Sequence, residues 1–464
     1  MAAKHIVDAR GSFCPGPLME LIARLKSAAV GDELEVLSSD KGSAHDIPEW
    51  VNKVGHAHVG TTEADGVWHV TIKKMKYHFH SVDEARPMKI LIVGGGMGGT
   101  ILGNNLARRL AGELRSGKVK LTMLSASDKH MYQPGLLYLA VGRMTPDELY
   151  RDQASLLEPG IEFQVDPVET FELDKNQVKT KGGRTHAYDV LVIATGSRPM
   201  AQTTPGLAEN AEQFYTEESA LKMFKRLQAF EGGRVVVCVG VPHKCPMAPL
   251  EITFMLHDYF KDRGIRDKVQ LHYTYPIGRT HSLENVAKWA TPEFERLGIT
   301  YETFFNMKEV DAKNKVLRSE EGGECKYDLL ITIPAHKGME VIEKNGLGAN
   351  GFIPTHRQRL NMEGRNNVFV LGDTTNLPIS KAGSTAHYEA EALGENLAGL
   401  VRQGQMVREY EGKVFCFIEA GKDRATYAMF DYQNPPDPKA PTRAVHWFKM
   451  AYNKLYWISA RGLL

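Results

Sequence analysis

A chain of 464 residues has room for two to four domains with sizeable cores. Its 57 lysines and arginines balance 56 aspartates and glutamates, which excludes the strong net charge of a nucleic-acid or polyanion binder. Five cysteines in so long a chain exclude a secreted disulfide framework, so pairing among Cys14, Cys238, Cys245, Cys325 and Cys416 points to catalysis. Residues Met1 to His5 lack an apolar signal core and no run is long enough to span a bilayer. The expectation is a cytoplasmic protein, attached at most to a membrane surface.

Residues 1–78 read as a small α+β domain, a two-layer sandwich. Strands are predicted at Lys4–Asp8, Glu33–Leu37 and Gly66–Ile72, and helices at Leu18–Ala28 and Ile47–Val54. Cys14 stands just before a proline-started helix, where free N–H groups face the sulfur and favour a thiolate. His45, His56, His58, His69, His78 and His80 have no cysteine or carboxylate cluster beside them, so no metal site is expected. Polar residues 79–87 read as a linker.

A βαβ unit begins at Met88. The buried strand Lys89–Val93 runs into Gly94-Gly95-Gly96-Met97-Gly98-Gly99, then a helix to about Leu114 and a strand at Val119–Leu124. Gly94, Gly96 and Gly99 fit G-x-G-x-x-G, which allows a tight turn, close backbone approach to a pyrophosphate and tight helix packing. Asp189–Gly196 is a strand ending at Thr195 and Gly196, and Asn367–Asp373 is another ending at Gly372 and Asp373. With these three motifs in order, residues 88–405 resemble the two-dinucleotide-domain flavoprotein disulfide reductases. The resemblance implies an α/β fold with two Rossmann-like domains and bound FAD, its pyrophosphate over Gly94–Gly99 and Asp373 on the flavin side. Ser125 stands where an acidic ribose ligand is expected and would bind more weakly. The expected domains are residues 88–204 and 326–405 for FAD, 205–325 for the second Rossmann unit, and 406–464 for a C-terminal segment.

The second glycine loop is missing. The strand Arg234–Gly240 leads into Lys244-Cys245-Pro246-Met247-Ala248-Pro249-Leu250-Glu251, and the next helix is predicted over Ile252–Phe260. This cysteine segment resembles that of flavocytochrome c sulfide dehydrogenases and sulfide:quinone oxidoreductases. The resemblance implies a redox pair of Cys245 with a late cysteine, and Cys416 in Val414–Glu419 fits that position. A disulfide accepts sulfide as a nucleophile and yields a persulfide and a thiolate. Low-pKa sulfurs, lowered by a helix N-terminus, are expected, with Glu251 handling protons beside them or merely complementing the helix dipole. Cys238 reads as inert strand filling and Cys325 as part of an exposed hairpin. Lys381 opens a helix that, by the resemblance, points at the flavin and stabilises its negative charge. His130–Leu136 resembles the segment passing the flavin ring; it holds no cysteine, so non-covalent FAD is expected.

Asp8–Leu18, with its Arg-Gly and Cys-Pro-Gly-Pro, resembles the TusA (SirA-like) sulfur carriers, which makes Cys14 a persulfide carrier and implies sulfur-transfer proteins as partners. In residues 443–464, Val445, Phe448, Tyr452 and Leu455 recur at helical spacing beside Trp447, Tyr456, Trp457 and several basic residues. This suits a helix lying on the inner face of the cell membrane, and equally one docked on its own core or on a second subunit. Its removal is expected to spare electron transfer from sulfide to flavin. The combined expectation is FAD-dependent sulfide oxidation at Cys245–Cys416, with electrons to a quinone and sulfur to Cys14 or a small thiol. The rivals are a type II NADH:quinone oxidoreductase and a sulfur-trafficking module on a redox-inactive flavoprotein platform.

Overall fold

The computed structural model describes residues 3–12, 15–53, 56–75 and 86–463. Cys14 and most of the linker lie outside them. The N-terminal sheet runs Lys4–Asp8, Glu33–Ser38, Val67–Lys73, Ala57–Ala64, and the helices Gly16–Ser27 and Ser43–Lys53 pack with it. Leu21, Leu25, Leu34, Val36, Ile47, Val51, Val70 and Ile72 fill its core. The strand Ala57–Ala64 was not anticipated. It lies at the sheet edge with no fully buried side chain, so it carries no inward–outward alternation to read.

A five-stranded parallel sheet follows, ordered Val368–Val370, Val190–Ile193, Met88–Val93, Val119–Ser125, Ile161–Val165. Strands buried on both faces require apolar runs, and Ile90 to Val93 and Val190 to Ile193 supply them. The helices Met97–Arg109 and Gly383–Gln403 pack against each other on this sheet. Gly99 lets the first of these helices start tight against the glycine loop: a Cβ there would collide with the Gly94 carbonyl.

The second parallel sheet runs Thr300–Thr303, Val269–Tyr275, Gly233–Val239, Leu329–Ile333. Leu329–Ile333 pairs with Gly233–Val239, so this unit continues past the boundary expected at residue 325. Cys238 is fully buried in it. Cys325 is also buried, at 1% exposure, which corrects the exposed-hairpin reading. Its short strand Glu324–Lys326 turns that one side chain inward, against Phe305, Leu317 and Tyr327.

The chain then returns. The hairpin Val414–Glu419 and Ala425–Phe430 packs against the helices Ala248–Asp262 and Gly383–Gln403. Val414, Cys416 and Ile418 are buried, while Phe415 and Phe417 alternate with them and stay half-buried along the cavity. Two short helices, Arg443–Lys454 and Tyr456–Ala460, close the fold. The first is inverted with respect to an ordinary amphipathic helix: His446 and Lys449 are buried, whereas Trp447 and Phe448 are each 70% exposed. Among the described residues, no helix is long and apolar enough to cross a membrane.

Candidate active site

One cavity of about 780 Å³ lies between the two sheets and the returning C-terminal segment. Its walls take in the glycine loop from Gly94 to Gly98, Ser125, Thr195, Gly196, Gly372, Asp373 and Lys381 from the first Rossmann unit. Cys245 and Glu251 come from the second, and Cys416 and Lys449 from the C-terminal segment. Gly99 lies behind the loop. Thus the residues expected to bind FAD and those expected to move sulfur surround one space, with Cys14 outside the description.

The loop is built for a close approach. Gly94 has φ +124° and a Cβ there would strike the Ala194 carbonyl, whereas nothing stands within 4 Å of a Cβ at Gly96. The backbone at Gly96 is therefore open to a phosphate. Asp373 accepts from the Ser197 hydroxyl at 2.7 Å and faces Lys244 at 3.1 Å. Burial would raise its carboxyl, but Lys244, Lys381 and Ser197 outweigh that and hold it below the usual range. An ionised acceptor at this turn suits sugar hydroxyls. These features fit FAD. Lys381 donates to the Thr375 carbonyl at 2.6 Å, and burial lowers its ammonium below the usual lysine range.

Cys245 adopts φ +50°, a conformation that costs a non-glycine residue energy and recurs at functional sites. Its N–H donates to the Lys381 carbonyl at 2.9 Å, and its carbonyl accepts from Ala248 N–H at 3.1 Å. The Pro246 carbonyl is held by His281 Nε2 at 2.9 Å. The turn is thus fixed from both Rossmann units, and the helix starts at Ala248, four residues earlier than expected. Pro249 occupies the first turn, where its missing N–H costs nothing. Cys245 and Cys416 are both free thiols.

The expectation of low-pKa sulfurs is not met. Burial and the Glu251 carboxylate push Cys245 up to about 11, against weaker help from the amides of Ala248 and Met247 and from Lys449. Burial, Cys245 and Glu251 raise Cys416 as well. The helix dipole loses because desolvation of the thiols and the neighbouring acid outweigh it.

Glu251 is not a solvated carboxylate. It is buried and hydrogen-bonded by Lys449 Nζ and by Glu419 N–H at 2.9 Å. Glu419 in turn accepts from Tyr138 at 3.1 Å and from His446 Nδ1 at 3.0 Å. Burial raises the Glu251 carboxyl against the pull of Lys449. Burial works against charge on Lys449 too, yet Glu251, Tyr138 and Glu419 keep it protonated well above the usual lysine range. From the sequence Lys449 reads only as a basic residue of an interfacial helix, which its burial corrects, and Glu419, His446 and Tyr138 were not singled out. The available signal was Lys449 itself, a charge one residue after the aromatic Phe448 and three after His446, on the face that turns inward.

The C-terminal segment also walls the cavity. Lys449, Tyr452, Asn453 and Tyr456 line the cavity, and Tyr456 hydroxyl meets His130 Nε2 at 2.8 Å. Arg108 on the glycine-loop helix holds the Arg461 and Gly462 carbonyls at 2.9 and 2.8 Å. Removing the segment would strip these side chains from the cavity wall, which argues against the expectation that truncation spares sulfide-to-flavin transfer.

Residues 88–392 match the family of pyridine nucleotide-disulphide oxidoreductases. The chain belongs to that family. In front of this pyridine nucleotide-disulphide oxidoreductase region, residues 5–74 match the sulfurtransferase TusA. The chain is 28% identical over 367 residues to the mitochondrial sulfide:quinone oxidoreductase of Dictyostelium discoideum, covering 76% of this chain and 80% of that protein. Its N-terminal domain is 56% identical over 71 residues to a candidate sulfur carrier of Archaeoglobus fulgidus, 97% of that protein's length. In fold it is similar to the sulfide:quinone oxidoreductase of Aquifex aeolicus, with a TM-score of 0.72 at 24% identity over 81% of this chain and 92% of that one.

Proposed function

We propose that this oxidoreductase uses FAD to oxidise sulfide at Cys245 and Cys416 and passes the electrons to a quinone. The observation that carries the reading is the opening of both thiols onto the cavity that the glycine loop also borders. HS⁻ attacks the oxidised Cys245–Cys416 pair: an S–S bond forms, the old one breaks, and one cysteine leaves as a thiolate. A thiol pushed up to about 11 is a poor anion, so the departing sulfur needs a proton. Glu251, whose carboxyl is itself raised and which lines the same wall, is placed to give it. The persulfide sulfur moves to an acceptor thiol, and re-forming the disulfide releases two electrons. Bound FAD supplies the two-electron acceptor chemistry, and this chain's Gly94–Gly99 loop, Ser125, Thr195–Gly196 and Gly372–Asp373 would hold it. Lys381 backs the same wall.

The absence of a cysteine between His130 and Leu136 supports non-covalent flavin. The exposed Trp447, Phe448, Leu455 and Ile458 beside Lys454 support a peripheral position on a membrane, where a quinone resides. We assign that position to the inner face of the cell membrane. The TusA match supports Cys14 as the sulfur acceptor and other sulfur-transfer proteins as its onward partners. Against NADH, the loop after Gly233–Val239 is Gly240-Val241-Pro242-His243-Lys244-Cys245, with one glycine in place of a pyrophosphate cradle. The test is turnover of the holoenzyme with a short-chain ubiquinone. Sulfide should support reduction and NADH should not; the reverse result would overturn the reading.

A further inference from the structure

The buried charges behind the thiols have a direction. Exposure falls from His446, whose side chain is 11% exposed, to Glu419, which is sealed at 0%. Lys449 and Glu251 then reappear at the cavity wall, while Glu419 and His446 do not border it. Contacts join the members in that order. His446 Nδ1 lies 3.0 Å from one Glu419 oxygen. The other Glu419 oxygen lies 3.9 Å from Lys449 Nζ and accepts from Tyr138. Lys449 holds Glu251. Such a cluster is a poor way to gain stability, because burying charges costs several kcal/mol per ion and well-packed apolar residues often do as well or better. The groups facing His446 are Glu419 from the strand Val414–Glu419, Lys449 one turn along its own helix, and Glu251 and Tyr138 from beyond them. Arg443, paired with Asp423 at 2.9 Å, begins the same helix.

We propose that His446 and Glu419 relay protons from water to Lys449 at the cavity wall during quinone reduction. The inference rests on the sulfide–quinone reading. There, HS⁻ + H⁺ + quinone gives sulfane sulfur + quinol: sulfide loses two electrons and one proton, and the quinone gains two of each. One proton per turnover must therefore come from solvent. Lys449 gives an ammonium proton to the quinone oxygen, so an N–H bond breaks and an O–H bond forms. Its amine swings from Glu251 towards Glu419, closing the 3.9 Å gap. A proton passes from the protonated His446 ring to the Glu419 carboxylate and on to that amine, and His446 regains one from water. His446 and Glu419 act through Lys449 and position its proton; neither touches the quinone.

The test compares holoenzyme carrying His446→Gln, His446→Ala or Glu419→Gln with the wild type. Steady-state quinone reduction should fall about 100-fold in kcat, while KM for the quinone stays within about twofold. Binding of a redox-inactive quinone analogue, read by tryptophan fluorescence, should be unchanged. Added imidazole should restore His446→Ala, whose emptied site admits it, and not His446→Gln. The solvent deuterium isotope effect on kcat should rise in all three. Wild-type turnover in the His446 variants, or a loss that imidazole does not rescue and that leaves the isotope effect unchanged, would overturn the relay alone. Failure of the wild type to reduce quinone with sulfide would overturn the underlying reading as well.

Discussion

Lys449→Met removes the cation that Glu251 and Glu419 share and leaves two buried carboxylates side by side. Breaking a buried pair by deleting one partner costs about 3–5 kcal/mol. The cost should depend on pH, with a sign set by Glu251. Its carboxyl is already raised by burial, and Lys449 opposes the rise. Without Lys449 the folded-state value climbs further above the unfolded one. Between the two values the native protein binds more protons than the unfolded chain, so stability falls as pH rises. The wild type shares this loss up to its own raised value, and above that value the variant falls further behind by about 1.4 kcal/mol for every pH step of one. Below the ordinary carboxylate range the penalty from this group vanishes. Urea unfolding of wild type and variant, followed by far-UV circular dichroism, should therefore show a small gap near about pH 5 and a wide one near about pH 8. The double variant Lys449→Met/Glu251→Gln should recover about 1–3 kcal/mol at the higher pH. A gap that is the same at both pH values, or under about 1 kcal/mol at the higher one, would refute the coupling of Lys449 to these acids.

Gly99→Val should abolish flavin content, read from visible absorbance, because its side chain would meet the Gly94 carbonyl. Truncation before Arg443 should both release the protein from liposomes and slow sulfide-dependent flavin reduction, since it strips Lys449, Tyr452 and Tyr456 from the cavity; an unimpaired rate would show that these walls do not serve the sulfide step. Cys14 should gain sulfur mass on its peptide after turnover with sulfide and quinone. If it stays unmodified while polysulfide accumulates at the normal rate, the N-terminal domain serves another partner.

The sequence made the flavin side readable because its signals are local. Gly94–Gly99, Thr195–Gly196 and Gly372–Asp373 each follow an apolar strand within a few residues, and short spacing carries the geometry. Cys245 was readable for the same reason: a proline-fenced cysteine stood where glycines belonged. The start of its helix was not, because Pro246 and Pro249 look like turn residues although proline is well tolerated in a first helical turn. The charge cluster was invisible for a different reason. Glu251, Glu419 and Lys449 come from three separate elements, and only the tertiary fold makes them neighbours. Helical periodicity in residues 443–455 marked an apolar stripe that suited a membrane surface as well as a packed interface. The fold turned that stripe outward and used His446 and Lys449 inside. The same global burial reversed the sign expected for the thiols, since a helix N-terminus lowers a cysteine pKa only where desolvation and a nearby acid do not exceed it.

The central claim is that Cys245 and Cys416 pass electrons from sulfide to the flavin. The most direct measurement is anaerobic bleaching of the flavin absorbance in wild type, Cys245→Ser and Cys416→Ser after addition of stoichiometric sulfide or NADH. The account predicts bleaching of the wild type by sulfide alone, and two yellow variants that sulfide leaves oxidised. Bleaching of the wild type by NADH with no response to sulfide, or full sulfide bleaching in either serine variant, would contradict it.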